Sequence, residues 1–213
     1  MHIRNIVIDC DTGVDDALAL LLALRSPAFN VVGITTVAGN VPLDKVVRNT
    51  LIVVEHSGKQ VPVFRGSSHP LLSPLHTAEI AHGSDGLGDI GFPDPKSKPR
   101  DAHAVDFLIQ TFIEAKEPME LITLAPLTNI ALALLKEPRL ADRIGTLWMM
   151  AGGITGGNAT AAAEFNVYVD PEAADIVFRS PIPKKTMVPL EPIDQGATIY
   201  PEDLEKFESS STP

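Results

Sequence analysis

The chain has one cysteine, Cys10, in 213 residues, so no disulfide can form within it. Positive charge is scarce: 17 Lys and Arg stand against 27 Asp and Glu, for a net charge of −10 and a pI near 5.0. Nucleic acid and anionic membrane surfaces need clustered cations, so this balance argues against both, while a neutral small molecule stays open as a partner. Long apolar runs are also missing. The longest, residues 17–24, falls far short of the ~20 residues that cross a bilayer. No cleavable leader is legible at the start, because the chain enters a strand-like run almost at once and Asp9 and Asp11 interrupt it. These absences predict a soluble, cytoplasmic protein. There is no internal repeat. What the chain does have is core material: hydrophobic residues are 45% and charged residues 21%, enough for one sizeable domain and too apolar for general disorder.

The apolar pattern alternates between strand and helix. Residues 3–8, 31–37, 61–64, 119–123, 146–150 and 185–188 read as strands. Residues 15–24, 43–57, 101–115, 127–135 and 170–178 read as helices, and 201–207 as the start of another. Pro171 suits the first turn of its helix. Residues 65–99, rich in Gly, Pro, Ser and His, form a long loop, which in a compact domain is usually functional. Residues 209–213 read as a polar tail. The alternation predicts an α/β fold with a mostly parallel open sheet and helices on both faces. In such sheets ligands gather at the carboxyl ends of the strands.

The polar clusters obey that rule. Asp9-Cys10-Asp11-Thr12-Gly13-Val14-Asp15-Asp16 packs four carboxylates into the turn after the first strand. Like charges this close repel unless a proton or a cation sits among them, and a hard cation with oxygen ligands is the natural compensation. A solvated, helix-capping acidic turn is the plainer alternative. Gly39-Asn40 follows the second strand, Leu124-Ala125-Pro126 the fourth, and residues 152–166 the fifth, so these segments are expected at one edge of the sheet.

The same segments resemble the inosine-uridine-preferring nucleoside hydrolases. The match runs through residues 9–17, Val37-Ala38-Gly39-Asn40, His82-Gly83-Ser84-Asp85-Gly86-Leu87-Gly88, Ala125-Pro126-Leu127-Thr128-Asn129-Ile130-Ala131, and residues 164–174 beginning Glu164-Phe165-Asn166. One such motif is weak, but five in order across the chain identify a family. The resemblance implies a Rossmann-like fold in one domain over residues 1–213, incomplete at its C-terminal end, and hydrolysis of the N-glycosidic bond of ribonucleosides with Ca2+. It implies that Asp11, Asp16 and the carbonyl of Leu124 bind calcium, and that Asp11 is the general base on a water. Asp15, Asn40, Asn158, Glu164 and Asn166 would bind the ribose, for which amides and carboxylates are suited. His82 is the second catalytic candidate, near the departing base, with a structural histidine as its alternative. Asn40 and Asn158 sit beside glycine, where turn chemistry is the competing reading. Asp9 would orient its loop, and Cys10 would pack beneath it. Gly83, Gly86 and Gly88 would give a lid its freedom. His56, His69, His76 and His103 carry no motif and read as surface. The family tendency is toward a homo-oligomer, dimer or tetramer.

Two departures from the family stand out. No His-Asp dipeptide occurs, and no histidine follows His103, although the resemblance implies a later His-Asp pair serving base protonation and calcium. Glu191 and Asp194 also stand where the family has Asp and His. Two alternatives therefore accompany the hydrolase reading. One is a truncated relative that binds ribose or nucleoside with little or no turnover. The other is a haloacid dehalogenase-type phosphatase using Asp9 and Asp11, which would need a later lysine in a ligand loop.

Overall fold

In the computed structural model, residues 3–209 are described; within them the side chains of residues 194, 195, 207 and 208 are outside the described set, which takes in Asp194, and most of the 209–213 tail lies outside it as well. Six parallel strands form one sheet: β1 Arg4–Cys10, β2 Phe29–Thr36, β3 Val63–Arg65, β4 Met119–Thr123, β5 Ile144–Met150 and β6 Lys185–Val188, in the order β3-β2-β1-β4-β5-β6. The helices are α1 Val14–Arg25, α2 Leu43–Ser57, α3 Glu79–His82, α4 Ala104–Glu114, α5 Thr128–Lys136, α6 Phe165–Val169, α7 Pro171–Arg179, α8 Leu190–Gly196 and α9 Pro201–Glu208, with a 3-10 turn at Pro138–Asp142. The α/β expectation holds. Among the described residues no helix is long and apolar enough to cross a membrane.

The strands are apolar on both sides because both faces are covered. Ile6, Ile8, Ile34 and Val63 pack with Leu20 and Leu24 of α1 and Leu43, Val47, Leu51 and Val54 of α2. Val7, Leu121, Leu147 and Met149 point the other way, against Leu108 and Phe112 of α4, Ile130 and Leu134 of α5 and Val177 of α7. The alternation Ile6–Val7–Ile8 between the two cores is the period-two geometry of a strand. Gly58, in the left-handed region at φ 71°, ends α2, as glycine does after a helix C-terminus.

Strand order reverses between β1 and β4. The first half of the sheet is wound outward from β1 through β2 to β3, the second from β4 through β5 to β6. At this reversal the loops after β1 and β4 part and leave a crevice at the carboxyl ends.

Candidate active site

The loop after β1 enters α1 through Gly13, and Asp16 folds back so that its Oδ2 accepts from the Gly13 amide at 2.9 Å. The loop after β2 brings Asn40 to the same place. Its main-chain N–H donates to Asp11 Oδ2 at 2.7 Å, and its side-chain Nδ2 donates to Asp16 Oδ2 at 3.0 Å. One asparagine thus clamps the two carboxylates expected to hold the metal. The approach depends on Gly39, whose position would put any Cβ 2.1 Å from Asp11 Oδ2.

Asp9, Asp11 and Asp16 are all buried. Burial pushes Asp9 up to about 7, against the pull of hydrogen bonds from Thr35 and Asn129. Burial, then the charge of Asp16, holds Asp11 well above the usual carboxylate range. Burial, then Asp15, raises Asp16 to about 8. Asp11 Oδ1 is buried without a hydrogen-bond partner, as is Asp9 Oδ2. An orphaned carboxylate oxygen in this position is the donor a hard cation requires.

Among the described residues no three His, Cys, Asp or Glu side chains form a metal-binding group. The donors that the resemblance implies are the carboxylates of Asp11 and Asp16 and the main-chain carbonyl of Leu124. The Leu124 carbonyl already accepts from Asn166 Nδ2 at 2.9 Å, and its second lone pair remains for another partner. This all-oxygen set fits calcium, which takes 6–8 oxygen ligands, with water and sugar hydroxyls as the remainder.

A cavity of about 640 Å³ opens over this group. Asp15, Asp16, Asn40, His82, Leu124, Asn158, Glu164 and Asn166, all expected at the site, line it; Asp11 lies buried beneath. Among the described residues no lysine or arginine lines it. That leaves the phosphatase alternative without its lysine.

The individual roles differ in detail. His82 Nδ1 accepts from the Val14 amide at 3.3 Å and lies 3.7 Å from Asp15 Oδ1, so Nε2 is the nitrogen left to carry a proton. Asp15 itself is largely exposed. Glu164 is fully engaged as the cap of α6: Oε1 accepts from the Asn166 amide at 2.8 Å, and Oε2 from Gly152 at 2.8 Å and Val167 at 3.3 Å. Asn158 Oδ1 accepts from the Phe165 amide at 2.8 Å, which is the turn role weighed against sugar binding. Glu191 holds the β5 loop, accepting from Thr155 and Ile154 amides at 2.6 and 2.8 Å; these bonds, Thr155's first, bring its carboxyl down to about 2. Asp9 Oδ1 accepts from Thr35 Oγ1 of β2 and Asn129 Nδ2 of α5, and Cys10 packs beside it against Thr12, Thr35 and Thr50.

Several functional positions escape sequence reasoning. His76, read as surface, is exposed but lies in the cavity wall, its ring 5.2 Å from that of Tyr168. Asn129 is buried at the start of α5. Its Nδ2 donates to Asp9 Oδ1 at 2.8 Å and to the Thr36 carbonyl at 3.0 Å, and its Oδ1 accepts from Ser67 at 3.0 Å. Asp170 accepts from Thr128 Oγ1 at 2.6 Å and from Leu71 at 3.0 Å. Asn129 and Asp170 fall within the motifs that carry the family resemblance, but those motifs do not say which groups the two side chains meet. Asn129→Ala takes a partner from Asp9, Thr36 and Ser67, all at the β1-β2-β3 half of the sheet, and is expected to cost about 2–4 kcal/mol and to lower Tm by roughly 5–15 °C in a thermal melt.

The sequence and its fold have counterparts in known proteins. The family model described as inosine-uridine preferring nucleoside hydrolase matches residues 6–213. A pyrimidine-specific ribonucleoside hydrolase, RihA of Photobacterium profundum, is 43% identical over 211 residues, 99% of this chain and 67% of that protein. A plant nucleoside hydrolase, PpNRh1, superposes with a TM-score of 0.92 at 36% identity over 98% of this chain and 66% of that one. A purine-preferring ribonucleoside hydrolase from Gardnerella vaginalis gives 0.84 at 39% identity, over 88% and 61%. The chain spans about two thirds of the length of the relatives it matches.

Proposed function

Because this chain belongs to the inosine-uridine preferring nucleoside hydrolase family, we propose that it catalyses calcium-dependent hydrolysis of the N-glycosidic bond of ribonucleosides, giving ribose and free base. The observation that carries this reading is the buried, partnerless Oδ1 of Asp11 beside Asp16, beneath a cavity with no lysine or arginine among its described lining residues. Asp11, Asp16 and the Leu124 carbonyl would hold the calcium ion, which when bound supplies the positive charge that keeps both carboxylates ionised.

The protein's own groups then divide the work. Asp11 is the general base toward a water. Asn40 fixes its orientation through Oδ2 and leaves Oδ1 free. Bond cleavage builds positive charge on the sugar ring, and the carboxylates around the cavity floor favour that charge. Asn40 and Asn166 line the cavity and would bind ribose hydroxyls. His82, a neutral imidazole while its Nδ1 accepts from the Val14 amide, can donate a hydrogen bond from Nε2–H to the departing base. A pyrimidine-specific and a purine-preferring relative match the same scaffold, so the proposal extends to ribonucleosides as a class.

The lack of lysine and arginine among the described residues of the cavity wall favours an uncharged substrate over a nucleotide. The test is release of reducing sugar from inosine, uridine, adenosine and cytidine, and from their 5′-monophosphates, with calcium and with a chelator. Chelator-sensitive release from nucleosides alone is expected. No release from a folded sample that still binds ribose would assign the chain to binding instead. Asn166→Ala removes the amide that bridges the Leu124 and Met150 carbonyls. It is expected to weaken ribose binding by about 1–3 kcal/mol in a calorimetric titration, the usual cost of unpaired buried polar groups.

A further inference from the structure

Asn49 lies on α2, outside the cavity, and no part of the proposed reaction uses it. It is completely buried, and its Nδ2 makes two hydrogen bonds in opposite directions. One goes to the Thr12 carbonyl at 3.2 Å, in the carboxylate loop one residue after Asp11. The other goes to the Asp85 carbonyl at 2.8 Å, in the glycine-rich loop that follows His82. Two carbonyl acceptors fix the orientation of the amide, since only its NH2 end can satisfy both. Its Oδ1 is left buried and without a partner. A buried acceptor left unsatisfied is costly, so packing alone does not account for asparagine here.

The glycine loop is shaped to meet this amide. Gly86 has φ 83°, and a Cβ there would lie 2.7 Å from Asn49 Nδ2. Asp85 and Asp89 fold the loop upon itself, and the Gly88 amide donates to the His82 carbonyl at 2.8 Å, which ties the loop back to His82. Lys45 also ties this loop to α2, through the Ser84 carbonyl at 2.5 Å, but it makes no bond to the carboxylate loop among the described contacts.

We infer that Asn49 is a positioning residue that sets the distance between the general base Asp11 and the His82 loop, by bonding the main chain of both loops from behind the site. This inference rests on the hydrolase reading above for its catalytic consequence, though not for its structural one. Displacements of the order of 1 Å at reacting groups cost about 10²-fold in rate. Asn49→Ala is therefore expected to lower kcat by roughly 10²-fold with a much smaller change in KM. In a His82→Ala background the same substitution should lower kcat by less than about 10-fold, because the group it positions is gone.

Hydrogen exchange supplies the readout that needs no turnover. Asn49→Ala should speed exchange at residues 12–13 and at 83–89 together, whereas Lys45→Ala should speed it at 83–89 only. If Asn49→Ala does not fold, Gly86→Ala keeps the test alive: its added methyl pushes the glycine loop off the Asn49 amide from the loop side, and the paired exchange signature is again expected. Exchange unchanged in either loop, or changed in the glycine loop alone, overturns the inference, as does full additivity of Asn49→Ala with His82→Ala. A wild-type chain that releases no ribose would overturn the hydrolase reading, while the exchange comparison would still decide the coupling.

Discussion

Asp11→Asn is expected to keep the fold and to remove nucleoside hydrolysis, by about 10²–10⁴-fold, the range spanned by loss of a general base. Asparagine has the same shape and can still accept from the Asn40 amide through its carbonyl, so the clamp between the loops after β1 and β2 survives. What disappears is the basicity at the partnerless oxygen and one charged donor of the proposed calcium site. Stability should move the other way. Removing a buried carboxylate that lacks compensation relieves desolvation and repulsion from Asp16, so the metal-free variant should melt no lower than the metal-free wild type. The addition of calcium should then raise the Tm of wild type and leave that of the variant almost unmoved. Activity near the wild-type level would remove Asp11 from its assigned role.

The second large effect concerns pH. Asp9 is raised from 3.8 to about 7, and Asp16 from 3.8 to about 8, burial being the first cause in each. In the folded, metal-free chain these groups hold protons that the unfolded chain releases from about pH 4. The folded state then binds more protons than the unfolded one, so stability is greatest below about pH 4 as far as these groups are concerned. It declines as pH rises to about 8 and levels off above that. The slope approaches ~1.4 kcal/mol per pH unit for each group, enough for a loss of several kcal/mol. Between about pH 5 and pH 8 the Tm of chelator-treated protein should fall by roughly 10–25 °C. Millimolar calcium should suppress most of that fall by favouring the ionised carboxylates. A Tm at about pH 8 that ignores calcium would remove the metal assignment.

The parts of the molecule that are legible in the sequence are those governed by local pattern. The bounds of α2, β4 and β6 coincide with the reading at 43–57, 119–123 and 185–188, because apolar periodicity and flanking turn residues define them. The helices α6 and α8 and the 3-10 turn leave no such mark. They are too short for periodicity, and side-chain caps such as Glu164 and Glu137 support two of them instead. The site divides in the same way. Asp11, Asp16, Asn40 and Leu124 follow strand ends, so the rule for parallel sheets brings them together. Asn129, Asp170 and Asn49 act through contacts spanning 36 to 120 residues, and a single sequence carries no trace of which carbonyl or carboxylate a buried amide will meet. His76 is exposed, as its surface reading has it, and the sequence leaves unmarked only that this surface is a cavity wall.

The winding of the sheet also sets a schedule for synthesis. β1 emerges first and acquires β2 and then β3 on one side, yet its other neighbour, β4, ends only at Thr123. Until then the future centre of the sheet is an open edge, with the unpaired amides and carbonyls that invite association with other chains. At 5–20 residues per second, the roughly sixty residues from β3 to the end of β4 take ~3–12 s to make. During that interval Asp9 also waits for Asn129, which lies further along still. The long, irregular stretch after β3 is therefore a delay as well as a wall of the cavity, and shortening it would narrow the period in which a nascent chain can pair wrongly.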